Sequence, residues 1–255
     1  MAEKTIIAWT DHTFNIAWGC SKISPGCTNC YADGLANRYG WDVWGPKKAR
    51  RTFGDKHWAE PFKWNRQAEE EGRRHRVFCS SMCDNFEDHA TIDQEREKLW
   101  PLICQTPWLD WQLLTKRADR IASCLPSDWH DGYSNVWLGV SIENNDYVWR
   151  AGCLRDIPAR IRFVSYEPAL GPLDELDLAG LDWIIFGGES GPGYREMDLQ
   201  WARDMWQRCR ESRVAFFFKQ SAAFRTELGT TLDGQTVREY PVSARRPLTL
   251  FGEAG

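Results

Sequence analysis

Short, almost continuously apolar runs recur along the chain, separated by helix-length polar stretches, and this alternation restricts the fold more than any other feature. The runs are Thr13–Trp18, Val77–Ser81, Trp111–Thr115, Val136–Ser141, Arg162–Ser165, Trp183–Phe186 and Val214–Phe218, rich in Val, Ile, Phe and Trp. A strand with one wet face alternates apolar and polar residues. A run that is apolar throughout is buried on both faces, as in a parallel sheet covered by helices. Helices fit the gaps. Thr91-Ile92-Asp93-Gln94 reads as a capping box ahead of the stripe Ile92, Leu99, Ile103. Asp198 can cap a helix carrying Trp201, Met205 and Cys209, and Asn144 or Asn145 can start another that runs to about Arg155. Strand, crossover and strand repeated about six times gives an α/β protein, either a barrel or an open doubly wound sheet.

At 255 residues the chain suits one large α/β domain or two small ones. Residues 1–222 read as the strand–helix body. Within it, residues 41–75 read as an insertion in which Lys47, Lys48, Arg50 and Arg51 lie among Trp41, Trp44, Trp58 and Trp64. Residues 223–255 have weak periodicity and read as an appended tail. The net charge of −4 gives no global attraction for nucleic acid, although a local basic patch remains open. No apolar run approaches the roughly 20 residues of a membrane span. The first residues lack the apolar core of a signal peptide, so a cytoplasmic protein without membrane attachment is expected.

The polar residues gather where the strands end. Ser80, Ser81 and Asp84 follow the second run, Thr115-Lys116-Arg117 the third, Ser141-Ile142-Glu143 the fourth, Ser165-Tyr166-Glu167 the fifth and Gly187-Gly188-Glu189 the sixth. In parallel α/β folds these carboxyl ends share one face, where ligands bind. The first run leads into a loop holding Cys20, Cys27 and Cys30. Three thiolates on one loop suit an iron–sulfur cluster that leaves one iron open. They also suit a zinc site completed by His12 or another cysteine, or no metal at all. The nine cysteines are odd in number and scattered, which argues against a disulfide framework. Cys79 and Cys83 read as packing residues, or for Cys83 as part of a pocket wall.

The run Gly19-Cys20 … Gly26-Cys27-Thr28-Asn29-Cys30-Tyr31-Ala32 resembles the radical S-adenosylmethionine superfamily, in particular its spore photoproduct lyase branch and phage- and prophage-encoded relatives of unassigned reaction. The superfamily's usual first gap is three residues. Here it is six, with Ser24-Pro25-Gly26 inside it, as in the phage-type proteins. Ser80-Ser81-Met82-Cys83-Asp84 and Leu114-Thr115-Lys116 resemble segments of the lyase branch, with Cys83 where that branch has Thr. The resemblance implies a partial or near-complete, TIM-barrel-like parallel (β/α) barrel of six or seven strands. It implies a 4Fe–4S cluster on Cys20, Cys27 and Cys30, S-adenosylmethionine as second cofactor, and a reductant protein as electron donor. It makes Tyr31, Ser80, Ser81, Asp84, Gly187, Gly188 and Glu189 candidates for cofactor binding. The Gly-Gly-Glu of that superfamily normally follows strand two, however, not strand six. Lys116, Glu143 and Glu167 are the candidate catalytic residues. The lyase likeness and the Trp-rich basic segment together suggest a nucleic acid or nucleotide substrate. A zinc-stabilised, non-catalytic nucleic-acid-binding or partner protein is the alternative.

Overall fold

A computed structural model describes residues 5–226 and 228–242. All seven strands are parallel and lie side by side in chain order: β1 (His12–Phe14), β2 (His75–Cys79), β3 (Leu109–Thr115), β4 (Val136–Ser141), β5 (Ile161–Tyr166), β6 (Trp183–Gly187) and β7 (Ala215–Gln220). Parallel crossovers are right-handed. An unbroken order therefore puts every crossover on the same side, whereas a doubly wound sheet needs a reversal of order. The result is a curled half-barrel with β1 and β7 as its edges.

The crossovers carry α1 (Tyr31–Arg38), α2 (Asp55–Trp58), α3 (Glu60–Glu70), α4 (Ala90–Cys104), α5 (Ile121–Cys124), α6 (Trp149–Arg155) and α7 (Leu199–Ser212). Outward-facing Val77, Trp111, Leu113, Leu138, Val164 and Phe216 join the core that includes Ile92, Leu99 and Ile103 of α4, Leu154 of α6 and Met205 of α7. The next residue along each strand points the other way. Phe78, Trp137, Phe163, Trp183 and Phe217 accordingly form a second apolar layer inside the barrel with Trp9. Gly139 makes room for that layer, because a Cβ there would lie 2.5 Å from a ring carbon of Phe163.

Several boundaries differ from those expected. β1 stops at Phe14, and beyond it the Asn15 side-chain oxygen accepts from the Met82 amide at 2.7 Å. α4 starts at Ala90, and His89 caps it by accepting from the Thr91 amide at 3.2 Å, so Thr91 lies inside the helix. Asn144 caps a 3-10 turn rather than α6, while Asp198 caps α7 as expected. Residues 41–75 contain α2 and α3, and Trp64 and Ala68 of α3 belong to the outer core. Phe217 bridges to Arg238, Leu232 and Val237 are buried, and Tyr240 packs on Trp183 and donates to the Ala8 carbonyl. The remainder of the expected tail, 243–255, lies outside the described residues.

Candidate functional site

A cavity of about 970 Å3 opens at the carboxyl ends of the strands. Its floor includes Trp9, Phe78 and Leu114 from the inner layer. Above them stand Ser141 and Ser165, paired in register on β4 and β5 and each only 3% exposed. Lys116, Glu167 and Lys219 line the next level. Lys219 is ion-paired with Glu167. Lys116 makes no side-chain hydrogen bond or ion pair among the described residues, and its charge acts on Cys27 and Cys30.

Cys20, Cys27 and Cys30 all line this cavity. The loop that carries them has a single 3-10 turn, Pro25–Cys27, and none of its three turn residues is buried. Such a loop has little apolar packing of its own, so something else must hold it. Three carboxylates do so. Glu87, beyond β2, accepts from the Ser21 amide at 2.8 Å. Glu143, beyond β4, accepts from the Ser24 hydroxyl at 2.6 Å. Glu189, beyond β6, accepts from the Asn29 amide group at 2.8 Å. Each is in turn bound by arginine: Glu87 by Arg50 at 2.8 Å, Glu143 by Arg150 at 2.9 Å and Glu189 by Arg195 Nε at 3.0 Å. Burying a carboxylate is tolerable only with such partners.

Glu143 is therefore not where a catalytic group was expected. It is fully buried under the loop, away from the cavity lining, and a Cβ on Gly26 would lie 2.7 Å from its Cγ. Asp84 reaches the cavity wall, but its oxygens already accept from the Thr115 hydroxyl at 2.7 Å, the Phe86 amide at 3.0 Å and Arg117 at 2.9 Å. Ser80 donates to Asn85 at 2.7 Å. Ser81 remains at the cavity, and its carbonyl accepts from the Tyr31 hydroxyl at 2.8 Å. Gly188 lets the chain after β7 approach closely, because a Cβ would lie 2.6 Å from Ala222 Cα. Gly187 lies against Glu167 in the same way. Glu189 faces the cavity but is committed to Arg195 and Asn29. The sequence pattern did not bring out Glu87 or Lys219, and it gave Arg50 only as one of the basic residues of the Trp-rich segment. It placed Arg117 at a strand end without giving it a role. Nothing in the residue pattern marks Glu87, which sits in a polar loop like many others.

The thiols differ in their surroundings. Burial and then the Asp84 charge push Cys20 up to about 12, against the pull of Arg117. Burial also opposes ionisation of Cys27, but Lys116 and hydrogen bonds from Ile23 and Ser24 outweigh it and hold this thiol below its ordinary value. Burial raises Cys30. A coordinated metal would override these differences, since a ligating thiol is deprotonated outright.

Three thiols around one cavity fit a cluster that takes three protein ligands. Among the described residues no group of three or more His, Cys, Asp or Glu is placed to hold a metal ion. His12, the histidine considered as a fourth ligand, is stacked on Trp64 at 4.5 Å and hydrogen-bonded to His75 at 3.1 Å. Cys83 does line the cavity.

A family model described as "Protein of unknown function (DUF5131)" matches residues 4–241. The chain belongs to the DUF5131 family. No curated protein matches it in sequence. Among solved structures, it is similar to a spore photoproduct lyase mutant with bound AdoMet and dinucleoside spore photoproduct, at TM-score 0.47 and 14% identity over 80% of this chain and 62% of that one. It is also similar to spore photoproduct lyase complexed with dinucleoside spore photoproduct, at TM-score 0.42 and 14% identity, covering 78% and 61% of the two chains. The DUF5131 chain thus spans less than two thirds of those proteins' length. Among its described residues no helix is long and apolar enough to cross a membrane.

Proposed function

We propose that this protein is a radical S-adenosylmethionine enzyme whose 4Fe–4S cluster is held by Cys20, Cys27 and Cys30. The observation that carries the reading is that these three thiols, all on one loop, line a cavity that also presents Lys116, whose side chain makes no hydrogen bond or ion pair among the described residues. A cluster held by Cys20, Cys27 and Cys30 would supply the one-electron chemistry that cleaves S-adenosylmethionine and starts a radical reaction on substrate. The chain's own residues bind, orient and exclude water. Lys116 is placed to receive a carboxylate of the cofactor or substrate. Ser141 and Ser165 offer hydroxyls at the same face. The apolar floor of Trp9, Phe78 and Leu114 keeps the lower cavity dry.

The test is anaerobic reconstitution followed by metal analysis and product detection. The reading expects about four irons per chain and 5′-deoxyadenosine under a strong reductant, supplied in the cell by a reductant protein. Stoichiometric zinc with no 5′-deoxyadenosine overturns it. Substituting one cysteine separates the zinc alternative: a structural zinc site would lose its fold, whereas a cluster enzyme would keep the fold and lose cofactor cleavage.

We further propose a nucleotide or nucleic acid as substrate. Trp44 lines the cavity, and Arg51 lies 4.0 Å above the Trp41 ring. A cation and half-buried rings beside a cavity suit phosphates and bases. Titration of labelled DNA, RNA and nucleotides at low salt tests this, and the absence of binding to all three refutes it.

A further inference from the structure

Arg117 does work at Cys20 that the other two cysteines do not receive. Its Nη1 lies 3.6 Å from Cys20 Sγ, a hydrogen-bond separation for the large sulfur atom, and 2.9 Å from Asp84 Oδ2. Its Nη2 donates to the Ser21 carbonyl at 2.9 Å and the Ser21 hydroxyl at 3.1 Å, and lies 3.3 Å from Glu87. Glu87 is gripped from the other side by Arg50, whose guanidinium also donates to the carbonyls of Val43, Lys48 and Gly45. Arg50, Asp84, Glu87 and Arg117 are all less than a tenth exposed. The guanidinium is thus fixed at both ends of its fork, with one N–H aimed at a single sulfur. Cys27 instead has the Ser24 hydroxyl at 3.7 Å and backbone amides, and Cys30 has backbone amides, with the Lys116 charge acting on both and no guanidinium on either.

Resting on the cluster reading above, we infer that Arg117 is a positioning residue that holds the Cys20 thiolate and raises the reduction potential of the cluster bound there. The potential of an iron–sulfur centre depends on net charge and on hydrogen bonds to its sulfurs. A buried N–H donor and a positive charge at one thiolate both favour the reduced, more negative state. Arginine serves here because its planar fork can span Asp84, Ser21 and Cys20 together, which a lysine ammonium cannot. The cage that surrounds it is neutral, with Arg50 and Arg117 against Asp84 and Glu87. The charge and the hydrogen bond of Arg117 therefore act locally, at Cys20, within a cage of no net charge.

The test compares reconstituted wild type with Arg117→Lys and Arg117→Gln by iron content, circular dichroism and an EPR-monitored redox titration. With iron content equal to wild type, Arg117→Gln should lower the equilibrium constant for reduction about tenfold, a shift of 59 mV for a one-electron couple. Arg117→Lys should fall between the two. A second measurement needs no folded variant. Wild type labelled with 15N-arginine should show a 15N hyperfine coupling in the reduced cluster, because Arg117 is the guanidinium at ligand distance. Equal potentials in folded, fully loaded variants, or no 15N coupling in wild type, overturn the inference. Wild type that binds no iron instead overturns the cluster reading on which it rests.

Discussion

Removing the Glu143 side chain separates a structural carboxylate from a catalytic one. Glu143 and Arg150 are 0% and 1% exposed and 2.9 Å apart. In Glu143→Ala the guanidinium loses its only carboxylate partner among the described residues while remaining buried, and the Ser24 hydroxyl loses its acceptor. Breaking a buried pair by removing one partner costs about 3–5 kcal/mol. In a chain of this size, 1 kcal/mol shifts the melting temperature by about 2–4 °C, so the melting point should fall by roughly 6–20 °C. Urea denaturation with an unchanged m-value gives the free energy directly.

The same substitution should unfasten the cysteine loop. Folded Glu143→Ala protein, taken without metal, should react faster with a thiol reagent at Cys27 than wild type does, because Ser24 touches both Glu143 and the Cys27 sulfur. Removing both charges, as Glu143→Leu with Arg150→Leu, should recover part of the loss, and the cycle then gives the coupling between them. If Glu143→Ala melts within about 0.5 kcal/mol of wild type and its thiols react at the wild-type rate, yet turnover is lost, the support argument fails. Glu143 would then have to act on the reacting atoms.

Three other outcomes follow from the geometry. Gly139→Ala should cost about 1–3 kcal/mol by forcing the Phe163 ring out of the inner layer, and an unchanged urea midpoint would show that the layer yields. Lys116→Met should weaken binding of S-adenosylmethionine at least tenfold, since a hydrogen bond to a charged group contributes about 1.5–3 kcal/mol. Equilibrium dialysis checks this, and an unchanged Kd removes Lys116 from the site. For Glu189, burial raises its pKa but hydrogen bonds from Arg195 and Asn29 outweigh it, leaving it below the ordinary value. A depressed carboxylate contributes stability that is present above its unfolded pKa of about 4.3 and is lost as pH falls through the folded value. Wild type should therefore exceed Glu189→Gln most at neutral pH, with the gap closing below about pH 4. A gap of constant size from pH 7 to pH 3 would refute this.

The barrel was legible because its strands are buried on both faces, so apolar runs marked each of them to within a few residues. The face carrying the site followed from the parallel order. Individual side-chain roles did not follow. Ser141-Ile142-Glu143 and Ser165-Tyr166-Glu167 have the same pattern, and Ser141 pairs with Ser165 in register. Yet β4 ends at Ser141 while β5 continues through Tyr166. Glu167 keeps the strand's direction into the cavity and meets Lys219. Glu143, released from its strand, turns under the cysteine loop to Arg150. What decides between them is an arginine on α6 and a loop more than a hundred residues upstream, which no local pattern contains.

A division between alternate strands follows. Beyond the even strands β2, β4 and β6 stand Glu87, Glu143 and Glu189, which hold the cysteine loop. At the ends of the odd strands β3, β5 and β7 stand Lys116, Glu167 and Lys219, which face the cavity. Alternate strands of a parallel barrel contribute to different layers of its interior, and here the two layers have different work. Residues of the even set fasten the loop, and Glu189, which also lines the cavity, is committed to Arg195 and Asn29, so their loss should appear first as lower stability and exposed thiols. Residues of the odd set make no side-chain hydrogen bond to the loop among the described residues, so their loss should leave melting near wild type while ligand affinity falls, and loss of Lys116 should also slow the reaction of the Cys27 thiol, whose ionised form its charge favours. A carboxylate from the even set whose substitution changed affinity alone would break the division, and with it the argument that this barrel separates holding the cysteines from using them.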